Sequence, residues 1–472
     1  MLFNSFEFLL FFPVIYILYL LLKHRWQNRI LILASCLFYA AWNWKFLSIM
    51  FASITIDYFC GRRIDQSNDP KIRKRFLCLS IFVNLAILGF FKYANFFTAN
   101  LDVFLKFFPP ASHAAYIPLK IILPLGISFY TFEAISYTVD IYRREARPAQ
   151  SYMDYLLFVL YFPHLIAGPI MRAKNFLPQI SLPRLVTAEL FFEGCYWFFW
   201  GLFEKMFVAD NLAKIVDPVF ASSGPYEGGT ILLALYAFSF QIFCDFDGYS
   251  NMARGLGKCM GFDITINFRF PYFATNPREF WRRWHISLST WLRDYLYIPL
   301  GGDRKGNGRM YFSLLLTMLL GGLWHGAAWT FVCWGAYHAI LLIIHRRCTD
   351  DHPAVPTGRH PFKDFLKIVF FFHLMVLGWL LFRVQSFSQI RGMIVSLLFN
   401  FKWNQQDFSL WVKSALIVLP LLTVQILQFK ANDLLVVFKQ HWLLKTVIYA
   451  LMTYLLLGWG IMKTQKFYYF QF

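Results

Sequence analysis

Histidines inside apolar segments are the residues of this sequence best placed to do chemistry. His325 lies in the glycine-rich segment 321–326, within an apolar run from Leu314 to Ile344. A titratable ring is costly in lipid hydrocarbon unless it faces a cavity, so a histidine at that depth indicates a site of proton transfer. A neutral histidine hydrogen-bonded between two helices is the alternative interpretation.

His285 ends the aromatic and basic segment 281–285, which follows a clear helix start signal. Asn276 can cap the helix, Pro277 takes its first position, and Glu279 follows three residues after the cap. We expect one amphipathic helix that continues to about Pro299, with His285 at the border of its aromatic and basic faces. There the ring could reach inward from the membrane surface, or lie at the interface as a polar side chain.

Two further histidines are weaker candidates. His338 lies so far beyond His325, about 20 Å along a continuous helix, that it can share a site only if the helix folds back. His164 stands where Pro163, Gly168 and Pro169 interrupt an apolar segment, as where backbone lines a cavity, although packing is the favoured interpretation.

No metal site is predicted. Asp245 and Asp247 are expected to end a membrane span, where hydrogen bonding at the helix end is favoured over binding of a cation. The eight cysteines include no C-x-x-C pair and mostly lie in apolar runs, so they indicate small core residues.

The composition requires these residues to be positioned by a membrane-embedded helical bundle. The chain has 472 residues, of which 58% are hydrophobic, 21% aromatic and 15% charged. A soluble protein would carry about 25% charged residues, so a soluble enzyme is excluded. The formal charge of +19 comes from short loops between apolar segments, which excludes a basic nucleic-acid-binding face.

Apolar segments of about 20 residues predict a single all-α domain over residues 1–472, a polytopic bundle of roughly 11 to 13 transmembrane helices with re-entrant and interfacial amphipathic helices. The segment 311–345 would be about 52 Å long as one helix, well beyond a hydrocarbon core of about 30 Å. We therefore expect it to break at Gly321, Gly322 and Gly326. Basic residues such as Arg62 and Arg63 mark the side predicted to be cytoplasmic.

Three motifs together resemble the membrane-bound O-acyltransferase (MBOAT) family, in its bacterial branch of AlgI-like alginate O-acetyltransferases and DltB. They are WRRWH at 281–285, LRDYLYIPLGG at 292–302 and LGGLWHG at 320–326, and SFYTF at 128–132, FPH at 162–164, Trp379 and Phe382-Arg383 extend the likeness over most of the chain. Asp247, where the branch has a small hydroxyl residue, and Ala339, where it has glycine, depart from the pattern.

The resemblance implies an O-acyltransferase of the bacterial inner membrane with its active-site core at about 245–345. It implies His325 as the catalytic histidine and His285 as a second active-site histidine. Acetyl would come from a cytoplasmic donor, acetyl-CoA, with no permanently bound cofactor, and would pass across the membrane to a periplasmic acetyltransferase or a polysaccharide such as alginate.

Residues near the two histidines are the expected contacts of donor and tunnel. Phosphates of the donor, or anionic lipid, could bind the basic and aromatic set Trp281, Arg282, Arg283, Trp284 and Arg293. The expected tunnel-lining residues are His164, Trp324 and His338. D-alanyl transfer, peptidoglycan acetylation and lipid acylation are alternatives within the family, and a membrane transporter or a scaffold subunit without chemistry are alternatives outside it.

Overall fold

The computed structural model describes residues 1–105, 118–349, 361–403, 405–462 and 467–468. Within these ranges the chain is helical and has no β-strand, which confirms the all-α prediction. The α-helices are α1 (Phe6–Leu21), α2 (His24–Asn43), α3 (Lys45–Gln66), α4 (Pro70–Leu88), α5 (Ala94–Leu105), α6 (Ile127–Tyr142), α7 (Tyr152–Leu160), α8 (Phe162–Leu165), α9 (Ala173–Ser181), α10 (Ala188–Leu202), α11 (Asp210–Ala221), α12 (Gly228–Cys259), α13 (Pro277–Arg283), α14 (Ile286–Leu292), α15 (Gly306–His325), α16 (Trp329–Cys348), α17 (Pro361–Arg383), α18 (Phe387–Phe399), α19 (Gln405–Ala431) and α20 (Trp442–Trp459).

Several helices are long and apolar enough to cross a bilayer, as expected of an integral membrane protein. Five described segments satisfy both criteria: Pro70–Leu105, Gly228–Cys259, Pro361–Arg383, Asp407–Ala431 and Trp442–Trp459. Two shorter apolar helices, α1 and α18, accompany them. The count of 11 to 13 crossing helices stays a prediction. The polar stretch 346–363, rich in proline, histidine and aspartate, predicts a loop, and its residues 350–360 lie outside the described part of the chain.

The chain forms two compact units, of which the first contains Met1–Thr187 and Met260–Ile264. In this unit α3, α4 and α6 pack on one another, and α2 packs on α7. Helix α2 ends at Asn43 and α3 begins at Lys45, so Trp44 separates the two helices.

The second unit contains Ala188–Cys259 and Thr265–Phe472. Its longest helix, α12, packs against α10, α11 and a π-helical segment, Phe203–Ala209. At 32 residues α12 is about 48 Å long. The predicted hydrogen bonding of Asp245 and Asp247 at a helix end is therefore wrong, because both residues lie inside this helix.

A buried lysine explains how α12 continues through Asp245. Lys205 Nζ lies 2.5 Å from Asp245 Oδ1 and 2.8 Å from Asp210 Oδ1, and all three side chains are almost fully buried. The other carboxylate oxygen of Asp245 accepts a hydrogen bond from the backbone N–H of Tyr468, at 2.7 Å. The charge of Asp245 is thus balanced inside the protein and does not require the helix to end.

The predicted break in segment 311–345 is confirmed, but the break spans fewer residues than expected. Helix α15 ends at His325 and α16 begins at Trp329, so the break comprises residues 326–328. Gly322 lies inside α15, and a Cβ there would lie 2.2 Å from the carbonyl oxygen of Phe331. A Cβ on Gly335 would lie 2.2 Å from the carbonyl oxygen of Met318. The two helices form a hairpin whose backbones touch through glycine.

We expect Lys205→Met to lower the free energy of unfolding by about 3–5 kcal/mol, because two buried carboxylates would lose their cation. Thermal unfolding of the detergent-purified protein measures this. Lys439→Met is the matched control, since its partner Asp433 pairs with it at the surface and such pairs contribute little. Equal unfolding temperatures for the two variants would contradict the role of Lys205.

We expect Gly335→Ala to lower the free energy of unfolding by about 1–3 kcal/mol, because the new methyl group would collide with the backbone of α15. Gly308→Ala, in the same hairpin, places its methyl group in open space and is expected to be neutral or slightly stabilising. The same unfolding measurement compares them. A neutral Gly335→Ala would show that the hairpin tolerates a wider separation.

Candidate active site

The segment that carries His285 begins as predicted and then departs from prediction. Asn276 caps α13, accepting a hydrogen bond from the N–H of Glu279 at 2.9 Å, and Glu279 in turn accepts from the N–H of Thr275 at 2.8 Å. The single helix expected up to Pro299 is wrong. Helix α13 ends at Arg283, α14 covers Ile286–Leu292, and the π-helical segment Arg293–Tyr297 follows.

His285 lies at this break, and its backbone adopts the left-handed conformation, with φ of 43°. Asn267 accounts for the break, because it binds the turn through both backbone and side chain. Its carbonyl oxygen accepts from the N–H of Ile286 at 2.8 Å, and its Oδ1 accepts from Ser287 Oγ at 2.9 Å. His285 is consequently fully buried, and the expectation that it lies at the border of an amphipathic face is wrong.

Asn267 also determines which nitrogen of His285 carries the proton. Asn267 Oδ1 lies 3.0 Å from His285 Nδ1, and the amide nitrogen of Asn267 donates to Ser250 Oγ at 3.3 Å. Because an amide oxygen can only accept, His285 Nδ1 donates and the lone pair is on Nε2. Burial lowers the pKa of His285 to about 3, so the ring is neutral near pH 7.

His325 is the last residue of α15 and is 4% exposed. Aromatic rings contact it edge-on: its ring centre lies 5.1 Å from that of Trp324, 5.0 Å from that of Trp334 and 5.4 Å from that of Phe382. The ring of His285 lies 6.5 Å away. The two histidines singled out from the sequence are therefore brought together, close enough for both to act on one bound group.

His338 lies in the same cluster of rings. The α15–α16 hairpin folds the chain back, as a site shared by His338 and His325 requires. His338 and Trp334 lie one turn apart on α16, with ring centres 4.6 Å apart. Trp334 thus lies between His338 and His325. The ring of Trp281, 5.1 Å away, and that of Phe280, 6.1 Å away, also contact His338.

The predicted donor-binding residues differ in exposure. Arg282 is exposed, and Arg293 is largely exposed and pairs with Asp294 at 2.7 Å. Arg283 is half-buried and pairs with Glu279. Trp281 is half-buried, whereas Trp284 is fully buried with its ring 4.8 Å from that of Trp379.

His164 belongs to the first unit, where it is buried beside Glu133. His164 Nε2 lies 3.4 Å from Glu133 Oε2, and Glu133 Oε1 accepts from the N–H of Met171 at 2.8 Å. A Cβ on Gly168 would lie 2.4 Å from the Cα of His164, which explains the glycine in this interrupted segment.

Sequence reasoning missed Asn267 and Trp334. Asn267 is a lone amide in the segment 264–270, and only its hydrogen bonds, to residues 18 and 20 positions later, reveal its role. Trp334 stands four residues before His338, a helical spacing that could have linked them once the fold-back was known.

Among the described residues no cluster of histidine, cysteine, aspartate and glutamate could hold a metal ion.

Comparison with known proteins identifies the family. Residues 141–387 match the membrane-bound O-acyltransferase family, MBOAT, and this region includes all three histidines of the cluster. The chain is 43% identical over 411 residues to a probable alginate O-acetylase AlgI of Azotobacter vinelandii, covering 87% of this chain and 80% of that protein.

Two other relatives act on different polymers according to their names. The chain is 35% identical over 419 residues to a peptidoglycan O-acetyltransferase of Helicobacter pylori, with 81% of this chain and 78% of that protein covered. It is 30% identical over 305 residues to a teichoic acid D-alanyltransferase of Bacillus subtilis, with 61% and 76% covered. The chain therefore belongs to the membrane-bound O-acyltransferase family and is an acyltransferase embedded in a membrane.

Proposed function

We propose that this acyltransferase transfers acetyl from a cytoplasmic donor, acetyl-CoA, across the bacterial inner membrane for O-acetylation of an exported or envelope polysaccharide of the alginate type. The supporting observation is the pair of buried histidines, His325 and His285, within one aromatic cluster. The similarity to probable alginate O-acetylases over most of the chain supports the choice of acyl group and acceptor. On this proposal residues 1–472 act as one domain with its catalytic core at about 245–345.

His325 is the general base of the proposed reaction. It takes the proton from an acceptor hydroxyl while that oxygen attacks the carbonyl carbon of the acetyl thioester. A carbon–oxygen bond forms, the carbon–sulfur bond breaks, and the proton passes from His325 to the leaving thiolate. The rings of Trp324, Trp334 and Phe382 support this role, because they surround the imidazole with apolar surface that excludes water.

His285 is proposed to orient the reacting groups. An active-site histidine could either orient or polarise the thioester, but a group that polarises the carbonyl oxygen must donate a hydrogen bond to it. Since the Nδ1–H of His285 is directed at Asn267, its Nε2 can only accept. This tautomer favours an accepting role, toward the acceptor hydroxyl or the second imidazole.

Donor binding is assigned to exposed side chains on α13 and on the π-helical segment that follows α14. Arg282 and Arg293 have exposed guanidinium groups that suit phosphates of the donor. Arg283 and Trp281 are only partly exposed, and Trp284 supports the site from within. Trp324 and His338 of the second unit are proposed as tunnel-lining residues, and a periplasmic acetyltransferase or the polysaccharide itself as the receiving partner. The assignment of His164 to the tunnel stays a prediction from the sequence.

Peptidoglycan is the second candidate acceptor, favoured by the relative from Helicobacter pylori. The catalytic proposal is the same for both polymers, because both present sugar hydroxyls. Supplying each acceptor separately in the assay below distinguishes them.

We expect His325→Ala to abolish acetyl transfer in proteoliposomes that contain radiolabelled acetyl-CoA and a polysaccharide acceptor. Losing a general base lowers rates by about 10²–10⁴-fold. His441→Ala, which replaces an exposed histidine of the same unit, is the matched control and should retain the wild-type rate. Both variants must insert and unfold like the wild type. Wild-type transfer by His325→Ala would refute the catalytic assignment.

We expect Asn267→Leu to lower kcat on the order of 100-fold, because His285 would lose the acceptor that sets its tautomer and orientation. Ser250→Ala removes only the hydrogen bond that the amide nitrogen of Asn267 donates, and it is expected to have a much smaller effect. Rates and unfolding temperatures should be measured on the same samples. A rate loss matched by equal loss of folded protein would mean that Asn267 is structural only.

A further inference from the structure

A buried carboxylate in the first unit has only neutral partners. Asp57, in the middle of α3, is 0% exposed. Its Oδ1 accepts from Ser80 Oγ at 2.6 Å and from Asn84 Nδ2 at 2.9 Å, and its Oδ2 accepts from Asn84 Nδ2 at 2.9 Å. Ser53 Oγ lies 3.4 Å from Oδ2.

These partners come from α3 and α4, and each carries an oxygen. Ser53 lies one turn before Asp57 on α3, and Ser80 lies one turn before Asn84 on α4, so two pairs with the same spacing face each other. Thr138 on α6 completes the cluster, with its Oγ1 3.1 Å from Ser80 Oγ. All five side chains are buried, and together they hold six oxygen atoms.

The charge of this cluster is not balanced by the described part of the chain. No lysine or arginine there pairs with Asp57, and Arg62, on the same helix, donates instead to Tyr58. The other titratable groups that face Asp57 are Cys60, Tyr137 and Tyr155, none of which is cationic. This differs from Asp245 of the second unit, which has Lys205.

The hydrogen-bond pattern favours an ionised carboxyl group. Both oxygens of Asp57 accept, and its nearest partners donate, as suits a carboxylate. A negative charge with hydrogen bonds but no cationic partner remains unfavourable inside a membrane-embedded bundle. A bound cation of single charge would neutralise it, whereas a divalent ion would leave one excess positive charge. Carboxylate, hydroxyl and amide oxygens are the ligands of hard cations.

We propose that Asp57, Ser53, Ser80, Asn84 and Thr138 form a binding site for a sodium ion between α3, α4 and α6. The ion holds these helices together by neutralising Asp57. The site is independent of acyl transfer, so its test does not require an active enzyme.

Sodium binding is tested on the full-length protein in detergent at pH 8, with radioactive ²²Na⁺ and with thermal unfolding in sodium, potassium or choline chloride at equal ionic strength. We expect saturable ²²Na⁺ binding and a rise in Tm on the order of 5 °C at saturating sodium, with little effect of potassium. Asp57→Asn should lose both responses, because the amide carries no charge. Asp65→Asn, an exposed aspartate on the same helix, should keep them.

Ser80→Ala and Thr138→Val keep the carboxylate and remove one oxygen each. They are expected to raise the half-saturating sodium concentration by about tenfold or more, which keeps the test decisive if Asp57→Asn does not fold. A Tm that is equal in all three salts, or a sodium response that survives in Asp57→Asn, would overturn the proposal. A stability that responds to pH but not to sodium would also overturn it and would identify a proton as the occupant.

Discussion

The close approach of α15 and α16 is the constraint on which the histidine cluster depends. Gly322 and Gly335 let the two backbones touch, and no larger residue could do so without moving a helix. The short connection at 326–328 then returns the chain beside itself. Trp334 is placed against His325 by this return, and His338 against Trp334. A wider hairpin would separate the aromatic rings and admit water to the imidazole.

Interruptions of helical structure inside the bundle are tolerated because other parts of the protein satisfy the freed polar groups. At His285, Asn267 does this through its backbone oxygen and its side chain, and the side chain also orients the imidazole. The two buried carboxylates Asp245 and Asp57 differ in the partners that surround them. Asp245 has a lysine, whereas Asp57 has only hydroxyl and amide neighbours. The difference separates a structural ion pair from a group for which we propose an external cation.

The sequence predicts those features that arise from local signals or from composition. Helical class, membrane embedding, the cap at Asn276 and the break after His325 all follow from periodicity, capping residues and the limit on helix length. The features it misses arise from distant contacts. The left-handed turn at His285 requires Asn267, and the continuation of α12 through Asp245 requires Lys205, 40 positions earlier. Residue spacing along one helix contains no information about such partners.

The left-handed backbone of His285 affects how substitutions at this position can be interpreted. Residues other than glycine, asparagine, aspartate and histidine resist that conformation, so an alanine here strains the turn as well as removing the imidazole. The path of the chain between α13 and α14 would relax together with the lost ring. Asparagine, which tolerates positive φ, separates the two effects: it removes the imidazole and preserves the turn.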